Sequence, residues 1–247
     1  MSRLPEIVLP SGPAVAVLGF DVFGTVVDWR SGVARAVAPF IDRHALAIDP
    51  LAFADAWRAL YHSSMAPIRQ GKRAWVRLRV LNRENLATVL LTQDIAITDV
   101  APDELAVLDR AWERLDPWPD AVAALARLKR RLPIVTISNG DIAGMMGLAR
   151  FGGLPWDAIL GAEVAQTYKP APEAYLRSAD AANVAPAKLA LVAAHSGDLA
   201  AARAAGLATI FVHRPDEKGP GTGDRAEPGD WDLVVDDLHD LADRLGG

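Results

Sequence analysis

Short apolar runs alternate with amphipathic segments through most of this chain, and this alternation limits the folds it can adopt. An apolar run of about four to eight residues, closed by turn residues, is typical of a strand buried on both faces. The first run is AVAVLGFDVF at 14–23, which Gly24 and Thr25 close. The later runs lie at 133–140, around Ile159, and at 189–194, 208–213 and 233–235.

Helical patterns separate these later runs. They lie at 120–131, through Met145 and Met146, after Pro172, at 199–205 and at the C-terminus. Strands and helices that alternate with short links predict an α/β fold, a Rossmann-like doubly wound parallel sheet. Such a sheet carries its functional groups at the carboxyl ends of its strands.

A helical tract interrupts the alternation. From about residue 31 to residue 116 no segment has a convincing strand pattern, and apolar residues such as Phe53, Trp57 and Tyr61 recur at helical spacing. We therefore predict a catalytic core at 1–28 and 117–247 with an inserted helical cap at 29–116.

Composition excludes several classes of protein. The 247 residues are 51% apolar and 23% charged, which is a globular composition with a sizeable core. A net charge of -5 argues against a nucleic-acid partner. With no cysteine, disulfides and thiolate metal sites are impossible. No secretory signal or membrane-spanning run of ~20 residues is visible, so we expect a cytoplasmic protein with no membrane partner.

Polar residues cluster where predicted strands end. They are Asp21 with Thr25, Ser138 with Asn139, and His195 through Asp198. Asp21 lies inside the apolar sequence GFDVFG, where a charge is costly unless it is paired or used. The alternative is a turn-forming aspartate. We expect these groups to converge on one site.

Four of these segments carry a family resemblance. FDVFGT, TISNG, the lysine of YKP and the later HSGD resemble, in this order, the motifs of the haloacid dehalogenase-like hydrolase superfamily. An all-helical insertion between the first two motifs is similar to the small cap of that superfamily. The resemblance covers nearly the whole chain and implies a Rossmann-like core.

Two positions indicate the branch of the superfamily. Phosphatases have a second aspartate where this chain has Phe23, and a further metal-binding aspartate where it has Ala193. These two differences from the phosphatases, together with the segments FDVFGTVVDWRSG and TYKPAPEAY, make the chain most similar to the L-2-haloacid dehalogenases. The resemblance implies hydrolysis of short L-2-haloalkanoic acids to 2-hydroxy acids with inversion, releasing halide, with no metal or cofactor. The alternatives are a Mg²⁺-dependent small-molecule phosphatase and a catalytically silent relative that binds a small carboxylate or a protein partner.

The resemblance also implies roles for residues of the first two motifs. Asp21 matches the nucleophile, which forms a covalent ester with the substrate. Thr25 and Ser138 match hydroxyls that bind the nucleophile or the substrate carboxylate, and Asn139 lies beside them. The backbone NH groups of Val22 and Phe23 would assist them.

The remaining motifs supply charged groups. Arg58 matches the arginine that faces the leaving halide, with an ordinary solvated arginine as the alternative. Lys169 matches a lysine that balances the carboxylates of the site, with a surface lysine as the alternative. Tyr175 matches a tyrosine that supports nucleophile and substrate. Asp198 matches the last acidic residue, or it caps the following helix, or both.

Some positions depart from better-known members. His195 stands where they have asparagine, and Gly197 where a large aromatic often lines the halide pocket. His195 is a donor to the halide, a base near neutral pH, or a core histidine. Trp29 and Arg30 follow the first motif, where they line the cap hinge or the substrate entrance, or, as is more common for a tryptophan at a domain junction, Trp29 packs. We expect a solvated loop for the charged run at 216–230. The apolar cap surface allows a homodimer.

Overall fold

The computed structural model describes residues 4–246. Its strands, in chain order, are β1 (Ile7–Val8), β2 (Ala14–Val15), β3 (Val17–Phe20), β4 (Val27–Asp28), β5 (Asp116–Pro117), β6 (Ile134–Ile137), β7 (Ala158–Leu160), β8 (Leu189–Ala193), β9 (Ala208–Val212) and β10 (Leu233–Val235). Its α-helices are α1 (Trp29–Arg43), α2 (Pro50–Ala59), α3 (Tyr61–Arg69), α4 (Leu78–Leu91), α5 (Pro102–Asp109), α6 (Ala121–Leu128), α7 (Ile142–Gly152), α8 (Pro172–Ala181), α9 (Ser196–Ala204) and α10 (Leu238–Arg244).

Six of the described strands form one parallel sheet in the order β10-β9-β8-β3-β6-β7. The strand β3 is central, with Leu18 paired to Ile134 on one side and to Ala190 on the other. Helices separate successive strands of this sheet from β3 to β9, a loop joins β9 to β10, and the inner strands are buried throughout. The predicted α/β class, a doubly wound parallel sheet, is confirmed.

The central strand is shorter than predicted. It ends at Phe20, because the chain then turns: the amides of Val26 and Val27 both donate to the carbonyl of Val22. Gly24 takes a φ of +89° in this turn, a conformation that L side chains rarely adopt. The turn leaves Asp21 at the carboxyl end of β3, which faces the helical insertion.

The helical tract leaves and rejoins the sheet domain at one place. The strands β4 and β5 pair antiparallel, with Val27 opposite Pro117, and the helices α1 to α5 lie between them in the chain. No strand occurs in 29–115, all of which the structure describes. Asp28 begins α1 by accepting a hydrogen bond from the amide of Ser31, and Asp49 caps α2 in the same way. The division into core and cap at 28 and 117 stays a prediction.

Most residues of the charged run at 216–230 are exposed, as predicted for a solvated loop, but its first part is anchored to the core. Arg214 is 8% exposed and donates to the Thr25 carbonyl and to Asp120. Glu217 is 1% exposed. The prediction was wrong for Glu217, because these long-range contacts anchor the first part of the loop beneath the turn that follows β3. No helix in residues 4–246 combines the length and apolar character needed to cross a membrane.

Candidate active site

Asp21 has donors on both carboxylate oxygens. Lys169 Nζ lies 2.8 Å from Oδ1, and the Thr25 hydroxyl lies 2.8 Å from Oδ2. Thr25 Oγ1 also accepts from the amide of Ala194 at 2.9 Å, so its own proton is directed at Asp21. The carboxylate is 7% exposed and is held by elements far apart in the chain.

Lys169 joins Asp21 to a second carboxylate. Its Nζ lies 2.5 Å from Asp198 Oδ2, and the Tyr175 hydroxyl donates to Asp198 Oδ1 at 2.5 Å. The Lys169 amide donates to Asn139 Oδ1 at 2.7 Å, which fixes the loop that carries the lysine. The site therefore holds two carboxylates about one buried ammonium.

The pKa values follow from this pairing. Burial alone would raise the pKa of Asp21, but the charge of Lys169 and the contact with His195 outweigh it, so the pKa lies well below its ordinary value. Burial opposes the charge of Lys169, yet Asp198 and Asp21 raise its pKa above the ordinary value. Burial and Asp198 raise the pKa of Tyr175. Asp21 is an ionised carboxylate at neutral pH, as a nucleophile requires.

His195 lies between two further carboxylates. Its Nδ1 is 3.1 Å from Asp21 Oδ2, and its Nε2 is 3.0 Å from Glu217 Oε2. Burial disfavours the charged ring, but the contacts with Asp21 and Glu217 raise the pKa of His195 to about 10. This raised pKa favours the protonated imidazole at neutral pH, and the roles predicted for His195 as a halide donor, a base or a core histidine stay predictions.

A cavity of about 880 Å³ opens above these groups. Its walls include Phe23 from the sheet side and Arg58, Tyr61 and Arg69 from the helices α2 and α3. The Arg58 guanidinium lies 3.9 Å from the centre of the Tyr61 ring, which orients it. Arg58 Nη1 and Arg69 Nη1 are both buried without a hydrogen-bond partner among residues 4–246. Unpartnered guanidinium nitrogens beside a cavity suit an anionic ligand.

Most residues predicted for the site meet in this region. Those that contact one another or line the cavity are Asp21, Phe23, Thr25, Arg58, Asn139, Lys169, Tyr175, His195 and Asp198. Gly197 also lines the cavity, and a Cβ there would meet no described atom within 4 Å, so the wall is open where a larger side chain was expected.

One prediction needs correction, and two stay predictions. Ser138 Oγ accepts a hydrogen bond from the Gly140 amide, and its contact with the nucleophile or the substrate carboxylate stays a prediction. Val22 is fully buried, which does not bear on its backbone NH, so the role of that NH also stays a prediction. Asp198 is not the N-cap of α9, which begins at Ser196 with His195 as the capping residue, so Asp198 lies in its first turn.

Sequence reasoning missed Glu217 and the helix residues Tyr61, His62 and Arg69. Glu217 lies in a run of charged, proline-rich sequence that is typical of exposed loops, so no local signal marked it. Tyr61 was noted only for its helical spacing. Trp29 packs in the core, as expected, and it also lines the cavity and donates to Glu217.

Few side chains of the described residues are arranged to coordinate a metal ion. Residues 4–246 contain no group of three or more His, Asp or Glu side chains arranged to hold a metal ion. Ala193 is a fully buried residue of β8. Lys169 occupies the space between Asp21 and Asp198, where its ammonium already balances both charges.

Comparisons with known proteins agree with this geometry. The family model described as a hydrolase, haloacid dehalogenase-like hydrolase, matches residues 15–206. The crystal structure of a defluorinating L-2-haloacid dehalogenase superposes with a TM-score of 0.93 at 46% identity, covering 99% of this chain and 100% of that one. Another L-2-haloacid dehalogenase structure has a TM-score of 0.86 at 38% identity, covering 94% and 98%.

Curated relatives are more distant. An (S)-2-haloacid dehalogenase of Xanthobacter autotrophicus is 29% identical over 210 residues, 79% of this chain and 74% of that protein. Hexitol phosphatase A of Escherichia coli strain K12 is 26% identical over 224 residues, 90% of this chain and 91% of that protein. The chain belongs to the haloacid dehalogenase-like hydrolases. The resemblance identified from its motifs is confirmed.

Proposed function

We propose that this chain is an L-2-haloacid dehalogenase that converts short L-2-haloalkanoic acids to 2-hydroxy acids with inversion. The observation that carries this proposal is the buried, ionised carboxylate of Asp21 beside a cavity whose wall holds Phe23. A phosphate monoester needs a proton donor for its leaving alcohol, and an aromatic ring donates none. Halide leaves as a stable anion and needs no proton.

The first step is an in-line displacement. An oxygen of the Asp21 carboxylate attacks C2 of the substrate, and the carbon–halogen bond breaks with its electron pair going to the halide. The product is an ester between Asp21 and the acid, inverted at C2. Lys169, Thr25 and His195 hold the carboxylate in one orientation before attack, which removes the cost of ordering it during the reaction.

The second step returns the enzyme to its starting state. Water attacks the ester carbonyl of Asp21, the bond between the carbonyl carbon and the Asp21 oxygen now attached to C2 breaks, and the 2-hydroxy acid leaves with that oxygen. One proton is released to solvent per turnover. Donors surround both oxygens of Asp21, so the negative charge that develops on the carbonyl oxygen meets a hydrogen bond on either side.

The helical insertion supplies the anion-binding wall. Arg58 has a buried, unpartnered Nη1 and a ring-stacked guanidinium, so it is placed to stabilise the halide as charge develops on it. Asn139 also borders the cavity, where its amide is available to the substrate carboxylate. In this proposal residues 29–116 act as a cap over the reaction site.

The experiment measures halide and proton release from L-2-chloropropionate in the presence of EDTA. A parallel reaction measures phosphate release from p-nitrophenyl phosphate with Mg²⁺. We expect chloride and one proton per turnover without metal, and little chloride from the D enantiomer. Fluoroacetate belongs in the substrate panel, because one similar structure is described as defluorinating.

The result that would contradict the proposal is phosphate release without chloride. It would favour the Mg²⁺-dependent phosphatase, for which the 26% identity to a hexitol phosphatase is the supporting observation. Release of neither product, together with tight binding of 2-haloacids, would favour a silent carboxylate binder.

A further inference from the structure

We propose that Glu217 is a positioning residue for this site: it holds the His195 imidazole as a cation whose Nδ1 proton is directed at Asp21 through both steps of the reaction. The catalytic consequence rests on the proposed dehalogenase function. The arrangement of the three side chains does not depend on it, so the two can be tested separately.

The Glu217 carboxylate is buried and is held in one position by its neighbours. Glu217 is 1% exposed, and Trp29 Nε1 donates to its Oε1 at 3.0 Å. A Cβ added to Gly24 would clash with that same Oε1. Gly24 belongs to the turn that follows Asp21, so the turn that presents the nucleophile also accommodates Glu217.

The buried carboxylate of Glu217 needs a positive partner. An unpaired buried carboxylate is costly, and Lys218 Nζ lies 4.0 Å away on a side chain that is 46% exposed. His195 Nε2 lies at 3.0 Å from the other oxygen, Oε2. Burial alone would raise the pKa of Glu217, but the contact with His195 lowers it. His195 is therefore the closer and better buried partner.

Both ring nitrogens of His195 face a carboxylate. The contact between Nε2 and Glu217 Oε2 is an ion pair without hydrogen-bond geometry, since this oxygen has no hydrogen-bond partner among residues 4–246. A neutral imidazole has one N–H, so only the protonated ring presents an N–H to both carboxylates. Glu217 thus supports the protonated ring independently of Asp21. With Glu217 neutral, only Asp21 would remain to hold that proton.

This independence matters once the ester has formed, since Asp21 then has no negative charge. Lys169 still pairs with Asp198, and His195 still pairs with Glu217. The ring therefore keeps its Nδ1 proton at Asp21 Oδ2 while water attacks the ester carbonyl. A fixed cationic donor at this oxygen stabilises the charge that develops there.

Other charged groups near His195 are more distant or already paired. Lys218 and Asp224 lie 3.4 Å from each other at the cavity wall, and Lys169 is shared by Asp21 and Asp198. His62 lines the same cavity from α3, and after burial the charges of nearby groups including Arg58 and Arg69 lower its own pKa. Glu217 and Asp21 are thus the two groups that keep His195 protonated.

The test is the substitution Glu217→Gln, which keeps the shape of the side chain and removes its charge. Glu227→Gln is the matched control, because Glu227 is an exposed glutamate of the same loop. The ring of His195 is titrated by NMR in each protein. We expect a pKa of about 10 in the wild type and in the control. In Glu217→Gln we expect it lower by at least about one unit.

Kinetics give a second readout on L-2-chloropropionate. In Glu217→Gln we expect the alkaline fall of kcat to begin at a lower pH, with KM little changed. At pH 8–9 the aspartyl ester should accumulate, detectable as added mass on the peptide containing Asp21, because its hydrolysis slows by roughly tenfold or more. Glu217→Asp, which retains the charge, should restore part of the rate.

An unchanged His195 titration and an unchanged pH profile in Glu217→Gln would overturn the proposal and leave Glu217 as a packing residue. If that variant does not fold, the wild-type titration decides: an ordinary pKa near 6.5 for His195 would refute the arrangement. If the wild type releases no halide, the dehalogenase proposal fails, while the NMR titration still decides the role of Glu217.

Discussion

The two walls of the cavity differ in how completely their charges are paired. On the sheet side, Asp21, Lys169 and Asp198 are buried and each contacts another of the three. On the helical side, Arg58 and Arg69 each have a buried guanidinium nitrogen with no partner among residues 4–246. On the sheet side the charges are therefore paired with one another before any ligand binds, whereas on the helical side these two guanidinium nitrogens have no partner.

We infer from this difference that the sheet wall carries out the reaction and that the helical wall binds the ligand. Groups that are fixed and paired in the free enzyme need no reorganisation when charge moves during the reaction. Unpartnered buried donors cost free energy that an anionic ligand recovers when it binds. We therefore expect substitutions on the sheet wall to reduce kcat or stability, and substitutions on the helical wall to act on substrate and halide binding.

The largest effect should come from Asp21→Asn. The amide has no negative charge and is a poor nucleophile, so the ester cannot form, and we expect halide release to fall by roughly 10³-fold or more. Substrate binding, measured by calorimetry, should persist because the helical wall is intact. Retained turnover by this variant, with mass spectrometry showing that the substituted amide is still intact, would show that Asp21 is not the nucleophile.

Lys169→Met should damage both activity and stability. It leaves Asp21 and Asp198 facing each other in a buried site without their shared cation. We expect kcat to fall by ~10²-fold or more and the free energy of unfolding to fall by about 3–5 kcal/mol. Lys129→Met, at a partly exposed ion pair with Asp157, is the control and should change stability by less than about 1 kcal/mol. Equal losses in both variants would contradict the contrast between the walls.

Arg58→Leu tests the helical wall. We expect kcat/KM to fall by roughly 10–10²-fold with little change in thermal stability, since this guanidinium nitrogen has no described protein partner to lose. Inhibition by added chloride or bromide should weaken in parallel. Arg110→Leu, at an exposed guanidinium that donates to the carbonyl of Ala106, is the control. An Arg58→Leu enzyme with unchanged kcat/KM would remove Arg58 from the anion site.

The smallest expected effect is on the pH dependence of stability. His195 has a folded pKa of about 10, above its unfolded value near 6.5, so its stabilisation is complete below about pH 6.5 and is lost as pH rises toward 10. The lowered pKa of Asp21 acts at the other end, where stabilisation present above about pH 4 is lost as pH falls.

Urea unfolding measured from pH 5 to pH 9 tests this dependence. We expect a decline above pH 6.5 with a slope of at most about 1.4 kcal/mol per pH unit. Glu217→Gln should show a shallower decline, because the folded pKa of His195 then lies closer to the unfolded one. Parallel curves for the two proteins would contradict the assignment of this decline to His195.

The sequence was informative where local pattern decides structure. Buried strands have apolar, valine-rich runs, and polar residues at their carboxyl ends must meet in a parallel sheet, so the placement of Asp21, Thr25 and Asn139 followed from the pattern. Lys169 and Asp198 were found by their place in motifs. Their contact in the structure agrees with the charge balance that those motifs imply.

The rest depends on contacts between distant segments. Glu217 is buried because Arg214 bonds to Asp120, 94 residues away, and anchors the loop beneath the nucleophile turn. Nothing in a proline- and glycine-rich run signals such an anchor. Ser138 shows the converse case: its hydroxyl accepts from the Gly140 amide two residues on, a local bond that a motif position does not reveal.

The central claim is that Asp21 forms a covalent ester, and a single turnover in H₂¹⁸O tests it most directly. With enzyme in excess over L-2-chloropropionate, water attacks the ester carbonyl, so we expect ¹⁸O in the Asp21 carboxylate and none in the hydroxyl group of the first 2-hydroxy acid released. Label in the product with an unlabelled Asp21 peptide would mean that water attacks C2 directly, which would contradict the account.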